Sequence, residues 1–275
     1  MNLPQLQGSC PHDSFFIYAA ADAVYFDLYG IPLINSVLRN TSHGCHVHIY
    51  DPRPDQLDWF KNQSRASVSW ETTAPNQFDS AVDFWSQPIL SEPYHGRRNK
   101  MLGMKQLEPQ TIAVWIRKTY YACMRFVRLA EMVKQPSRFL AIDIDGLVRA
   151  PFPIVFSDND EFDIYLYEKS KTDKKTGQSV KTGHLAGSIL FTEKPQSHVF
   201  MQDLANTIRA NIEQDNIYWF LDQSSIDSIV PRYRRGLLPL DYIDWRMNPT
   251  SAIWTAKGRR KELEVFQQEL KRYMQ

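Results

Sequence analysis

Residues 139–151 read Phe-Leu-Ala-Ile-Asp-Ile-Asp-Gly-Leu-Val-Arg-Ala-Pro, and no other segment narrows the possible folds as far. The apolar run 139–142 has the length and character of a buried strand. It drives straight into two carboxylates separated by one residue. On an extended backbone, residues i and i+2 share a face, so Asp143 and Asp145 project together while Ile144 faces the other way. Two carboxylates at the carboxyl end of a buried strand suit a hard divalent cation. In an open α/β sheet, ligands bind at that end of the strands. Aspartate pairs also occur on solvated loops, so it is the placement after an apolar strand that gives this pair its weight.

At 275 residues the chain can bury one large core, and a single domain over 1–275 is expected. Hydrophobic residues at 43% and charged residues at 23% are ordinary globular values, which excludes a coiled coil or a disordered chain. With 32 basic and 31 acidic residues the formal net charge is +1, giving no global drive toward nucleic acid or an anionic membrane. Cys10, Cys45 and Cys123 lack the paired spacing of a disulfide framework or a cysteine zinc site. Met1-Asn2-Leu3-Pro4 carries no secretion signal, and no apolar run reaches transmembrane length, so a soluble cytoplasmic chain is expected.

Elsewhere strands and helices alternate. Strands are predicted over 15–21, 47–50, 66–70, 162–167 and 185–192. Residues 25–39 carry Leu28, Ile31, Ile34, Val37 and Leu38 at helical spacing, with Pro32 either in the first turn or at a kink. The clearest helix is 110–134, ended by Pro136, with Tyr121, Arg125 and Arg128 on one stripe. Further helices are predicted over 196–212, 222–230 and 259–273. Residues 73–103 have no clear period and end in a basic loop at 95–100, and 169–181 reads as a charged loop. This alternation points to an α/β sheet with helices on both faces.

Set in order, these pieces resemble the nucleotide-sugar-dependent glycosyltransferases of the GT-A fold, nearest the family 8 type. The matching segments are Ala19-Ala20-Ala21-Asp22, then Asn35-Ser36-Val37-Leu38, then Tyr120-Tyr121 with Arg125 ahead of Asp143-Ile144-Asp145. Leu185-Ala186-Gly187, Asp222-Gln223 and residues 254–261 follow in the family's order. The similarity runs from about residue 15 to residue 261, and the ordered set carries it rather than any one motif. Two departures stand out. Leu185 occupies a place where the family often has Asn, and Trp254-Thr255 stand where its terminal metal-ligand His belongs.

The resemblance implies a Rossmann-like, mostly parallel mixed sheet flanked by helices. It implies transfer of a hexosyl group from a UDP-sugar, with Mn²⁺ or Mg²⁺ held by Asp143 and Asp145, to a glycan, protein or small-molecule acceptor. The donor would be met by Ala20, Asp22, Arg125, Asp143, Ile144, Asp145, Gly187, Lys257 and Gly258. Asp222 and Gln223 would lie near the sugar and the acceptor. A divalent cation bridging carboxylates and phosphates neutralises the charge that develops on a diphosphate leaving group.

Each residue also has a plainer reading. Asp22 would look the same as a helix N-cap, and so would Asp222. Arg125 would serve equally in a surface salt bridge. The basic run Arg259-Arg260-Lys261 is unusual at a helix start, where acids are favoured, and this tilts the segment toward phosphate. His46 and His48 share one face of a strand and read as structural. Two rival functions remain. Residues 142–147 also fit the nucleophile motif of haloacid-dehalogenase-like phosphatases, with Asp143 attacking phosphorus. The lost His and Leu185 favour a non-catalytic GT-A-like binding protein.

Overall fold

The computed structural model describes residues 3–11, 15–102, 108–152, 161–172, 178–239, 242–256 and 258–275. After a two-residue strand, β1 (Gln7–Gly8), the first long element is β2 (Phe15–Asp22). It is buried except at Ala20 and Asp22, because its sequence is apolar on both faces, as an interior parallel strand requires. Asp22 caps the turn Ala23–Tyr25, accepting the Tyr25 N–H at 2.8 Å. The single helix predicted over 25–39 is divided. Phe26–Gly30 winds as a π-helical turn, and α1 (Ile31–Asn40) continues from it with Pro32 near its start. Gly30 is itself right-handed helical, so the proline follows helical backbone. The widened π turn directly ahead of it is the irregularity at which a helix takes up a missing N–H and a bulky ring.

Next come β3 (Gly44–Tyr50), α2 (Pro54–Phe60) and β4 (Ala66–Glu71). The segment without a clear period folds as α3 (Asp79–Ser86) and α4 (Tyr94–Leu102). The basic stretch 95–100 is therefore helix and not a loop. Arg98 in it is buried, donating to the carbonyls of Trp85, Gln87 and Pro88. The long helix is α5 (Pro109–Met132), followed by β5 (Arg138–Ile142) and β6 (Gly146–Val148). β7 (Ile164–Thr172) and β8 (Ser179–Phe191) are antiparallel hairpin arms that run well into the stretch predicted as a charged loop. Then follow α6 (Pro195–Glu213), α7 (Leu221–Ile229), β9 (Arg235–Leu237), β10 (Ile243–Asp244) and β11 (Ile253–Thr255). The last helix opens as a 3₁₀ turn, Gly258–Glu262, and becomes α8 at Glu264–Arg272.

The main sheet has the order β1-β4-β3-β2-β5-β8-β7-β9. Strands β4, β3, β2 and β5 are mutually parallel, β8 runs against them, and β7 and β9 run with them again. A small sheet, β10-β11-β6, extends from the turn after β5. Side chains of β2 alternate between two cores. Phe16 and Tyr18 join the cluster under α5, α6 and α7, while Phe15, Ile17, Ala19 and Ala21 join the cluster with Leu33, Ile34 and Val37 of α1. The result is a mixed sheet covered by helices on both faces, with the carboxyl ends of β2, β3 and β5 opening on one side. Among the described residues no helix is long and apolar enough to cross a membrane.

Candidate active site

Strand β5 stops at Ile142, and the two aspartates follow on a turn. The Gly146 N–H donates to the Asp143 carbonyl at 3.0 Å, and the Asp143 N–H donates to the Gly187 carbonyl at 3.1 Å. The extended geometry expected from the sequence is therefore corrected, although both carboxylates still face the same opening. Gly187 lies against one of them. A β-carbon there would sit 2.4 Å from Asp143 Oδ2, so only glycine leaves that carboxylate its place.

Arg125 reaches this point from α5. It is buried, not the exposed helix ion pair that was the alternative. Its Nη1 donates to Asp143 Oδ1 at 2.6 Å and its Nη2 to the Ala186 carbonyl at 3.0 Å. Nη2 is also 3.5 Å from Asp222 Oδ2. Asp222 lies inside α7 and does not cap it. The capping position is Phe220, in the left-handed region at φ 70°, and Asp222 points inward to Arg125. Burial raises the Asp222 carboxyl above its ordinary value, against the pull of Arg125.

The second cation comes from the other end of the chain. Gly258, at φ 61°, opens the 3₁₀ turn that carries Lys261 back over the site. Lys261 Nζ is 2.6 Å from Asp145 Oδ2, and lies 4.7 Å and 5.1 Å from the ring centres of Tyr25 and Tyr29. Burial pushes the Asp145 carboxyl up to about 6, Asp143 adds to that, and Lys261 opposes it. Burial disfavours charge on Lys261, but Asp145 outweighs it and holds the ammonium above its usual value.

Two chambers of ≈ 230 and ≈ 210 Å³ meet at this cluster and share Ala122, Arg125, Asp143, Asp145 and Trp219 as a common wall. Ala20, Asp22, Tyr25, Lys118, Tyr121 and Ile144 line the smaller one, although Ile144 also packs into the core. The larger is lined by Tyr167, Leu185, Gly187, Trp219, Phe220, Asp222, Gln223, Trp245 and Thr255. The structure thus brings together Ala20, Asp22, Arg125, Asp143, Ile144, Asp145, Gly187, Asp222 and Gln223. Lys257 lies outside the described residues, and Gly258 contributes backbone conformation only. Asp22 proves to be both the cap and a wall of the smaller chamber. His46 and His48 stay inside the sheet, bonded to Ser67 and Ser69, which agrees with a structural role. Sequence reasoning did not single out Lys261 or the aromatic walls Tyr167, Trp219, Phe220 and Trp245. The unusual basic helix start was the one available signal for the lysine.

The donor set does not fit the divalent cation implied by the resemblance. Among the described residues no group of three or more His, Cys, Asp or Glu is placed to hold a metal ion, and Asp222, in the same chamber, is turned to Arg125. Thr255, a neutral hydroxyl, lines the chamber beside them, and each aspartate already has an oxygen engaged by a cationic side chain.

No protein-family model matches the sequence, and no curated protein matches it. Solved structures do. The bifunctional glycosyltransferase WbbM in its apo form aligns with a TM-score of 0.53 at 12% identity, over 97% of this chain and 50% of that one. The galactosyltransferase LgtC, solved with donor and acceptor sugar analogues, aligns at 0.54 and 12% identity, over 94% of this chain and 95% of that one. The glycosyltransferase GlyE of Streptococcus pneumoniae aligns at 0.52 and 13%, over 94% and 61%. The chain therefore spans about half of WbbM and nearly all of LgtC. It has the mixed α/β GT-A fold of these glycosyltransferases.

Proposed function

We propose that this chain is a glycosyltransferase that moves a sugar from a nucleoside-diphosphate donor, read as UDP-linked, to an acceptor hydroxyl. The observation that carries the reading is the pair of chambers meeting at one charged wall, at the carboxyl ends of the parallel strands of a GT-A fold. A nucleotide sugar has that layout, with a nucleoside and a sugar joined through a diphosphate. On this reading Ala20, Asp22 and Tyr121 meet the nucleoside, and the diphosphate lies over Arg125, Asp143, Asp145 and Lys261. Gly187, Asp222 and Gln223 border the transferred sugar. Trp219, Trp245 and Tyr167 offer flat apolar faces with polar edges, which suit sugar rings.

In the reaction, the bond between the anomeric carbon and the β-phosphate oxygen breaks, and its electron pair passes to that oxygen. The acceptor oxygen forms the new bond to the anomeric carbon and releases its proton to water. The protein's part is to hold the two substrates in line and to stabilise charge growing on the diphosphate. Leu185 places an alkyl group in the sugar chamber where the family often has an amide, which favours a donor sugar with an apolar or unsubstituted edge there. No divalent cation takes part in this step, because the donor set does not fit one.

The test is nucleotide release from a panel of UDP-, GDP-, CDP- and dTDP-sugars, with and without simple sugar acceptors. Release that is lost in Asp222→Asn and Gln223→Ala supports the reading. Release of inorganic phosphate from phosphomonoesters, lost in Asp143→Asn, would replace it with the phosphatase chemistry.

A further inference from the structure

The disagreement between the donor set and a divalent cation has a specific shape, because a lysine stands where the second aspartate would receive the metal. Lys261 Nζ is 2.6 Å from Asp145 Oδ2, and Arg125 Nη1 is 2.6 Å from Asp143 Oδ1. Two fixed cations stand against Asp143 and Asp145, the charge that one divalent ion would also bring to that pair, and Asp222 shares Arg125 at 3.5 Å. A metal added here would either share an oxygen with an ammonium at hydrogen-bond distance or expel it. Like charges that close, with the lysine side chain only 19% exposed, repel strongly. Nor is Lys261 a flexible surface residue. The left-handed Gly258 opens the turn that returns it, and the rings of Tyr25 and Tyr29 flank its ammonium. Those tyrosines are four residues apart, across the π-helical turn ahead of Pro32.

We propose that Lys261, with Arg125, takes the place of the divalent cation, so that this chain binds the diphosphate of its donor without a metal. The inference rests on the donor reading above. Asp145 then orients Lys261 rather than coordinating an ion, and the ammonium, a point charge with three donors, turns its free protons to the phosphate oxygens. As the donor bond breaks, the charge gained by the β-phosphate oxygen is met by a group that is already in place.

Calorimetric titration of UDP into the purified protein, in EDTA and again in excess Mn²⁺, tests both levels. The expected result is binding in EDTA, with an affinity that Mn²⁺ changes by less than about threefold. Lys261→Met should weaken it about tenfold or more in either buffer, the size of one charge-assisted contact. Lys261→Arg, which keeps the charge, should retain most of it, and an unchanged melting temperature in both variants shows that the fold is intact. Binding that requires Mn²⁺ and is insensitive to Lys261→Met overturns the inference and leaves the transferase reading standing. Absence of binding by UDP, GDP, CDP and dTDP in both buffers overturns the donor reading and the inference with it.

Discussion

Arg125→Met replaces a buried guanidinium with a shorter apolar chain, and three groups lose a partner at once. Asp143 is 47% exposed at its side chain, so water can take over there and little stability is lost. Asp222 is different. Its side chain is 11% exposed and its cation is gone, although the Gln223 N–H at 2.8 Å still serves one oxygen. The buried Ala186 carbonyl also loses the Nη2 donor. Breaking a buried ion pair costs about 3–5 kcal/mol, and an orphaned carbonyl about 1–3 kcal/mol. The Arg125–Asp222 pair is loose at 3.5 Å, so the lower ends apply, and the expected loss is about 4 kcal/mol in all. For a chain of this size that corresponds to a fall in Tm of roughly 8–16 °C.

The pH dependence gives the sharper test. Burial holds the Asp222 carboxyl above its unfolded value, and Arg125 restrains that rise. Without Arg125 the folded pKa climbs further. A carboxyl whose folded pKa is raised binds its proton more readily in the native state, so stability grows as pH falls through that pKa toward the unfolded one. The deficit of the variant must therefore be largest near neutral pH and must shrink in mild acid, where Asp222 becomes neutral and needs no cation. Urea unfolding followed by tryptophan fluorescence, at neutral pH and near pH 5, measures it. A neutral-pH deficit under about 0.5 kcal/mol, the size of an ordinary surface change, would refute the buried-pair account. So would a deficit that widens toward acid.

Gly187→Ala should push the Asp143 carboxylate from its seat and weaken UDP binding by about tenfold or more, with little change in Tm, because the displaced group can turn to water. Calorimetry and a melting curve together read this. Gly258→Ala meets no atom within 4 Å, so its cost is conformational, about 1–2 kcal/mol from φ 61°, and UDP affinity should fall with it as Lys261 loosens. Arg128→Met leaves Glu71 buried among His48 and Tyr120 without its guanidinium, which should cost about 3–5 kcal/mol by urea unfolding. Adding Glu71→Gln should restore much of that loss, since a neutral amide needs no counter-charge.

Much of this was legible in the sequence, for reasons that can be named. The apolar run into Asp143 and the stripe on residues 110–134 are local patterns, and local patterns survive folding. The carboxylate pair came out on one side of the chain as read, yet through a turn and not an extended strand. Helix α4 was hidden because its stripe is polar, and Arg98 is buried there by three carbonyls that no sequence period announces. Asp222 had the signature of a cap, but Phe220, two residues earlier, took the left-handed capping position and the aspartate was left to face Arg125. Lys261 and Asp145 are brought together by the small sheet, in which β11 pairs with β6. A contact spanning over a hundred residues leaves no mark on either end.

The stripe of Tyr121, Arg125 and Arg128 joins the two kinds of information. Read alone it was a row of polar side chains beside an apolar face. In the fold each member holds a carboxylate from a different strand. Tyr121 donates to Asp51 after β3 at 2.9 Å, Arg125 to Asp143 after β5, and Arg128 to Glu71 at the end of β4. The sheet answers through the helix backbone, since Tyr18 of β2 donates to the Arg125 carbonyl at 2.8 Å and Tyr50 of β3 to the Tyr121 carbonyl at 2.9 Å. Helix α5 is thereby fixed in register by contacts to four parallel strands. A one-residue slip would turn all three side chains by about 100° and break every pair together. The position of Arg125 over Asp143 is therefore set by the core and not by the pocket, so the charged wall between the chambers is already arranged before any donor arrives.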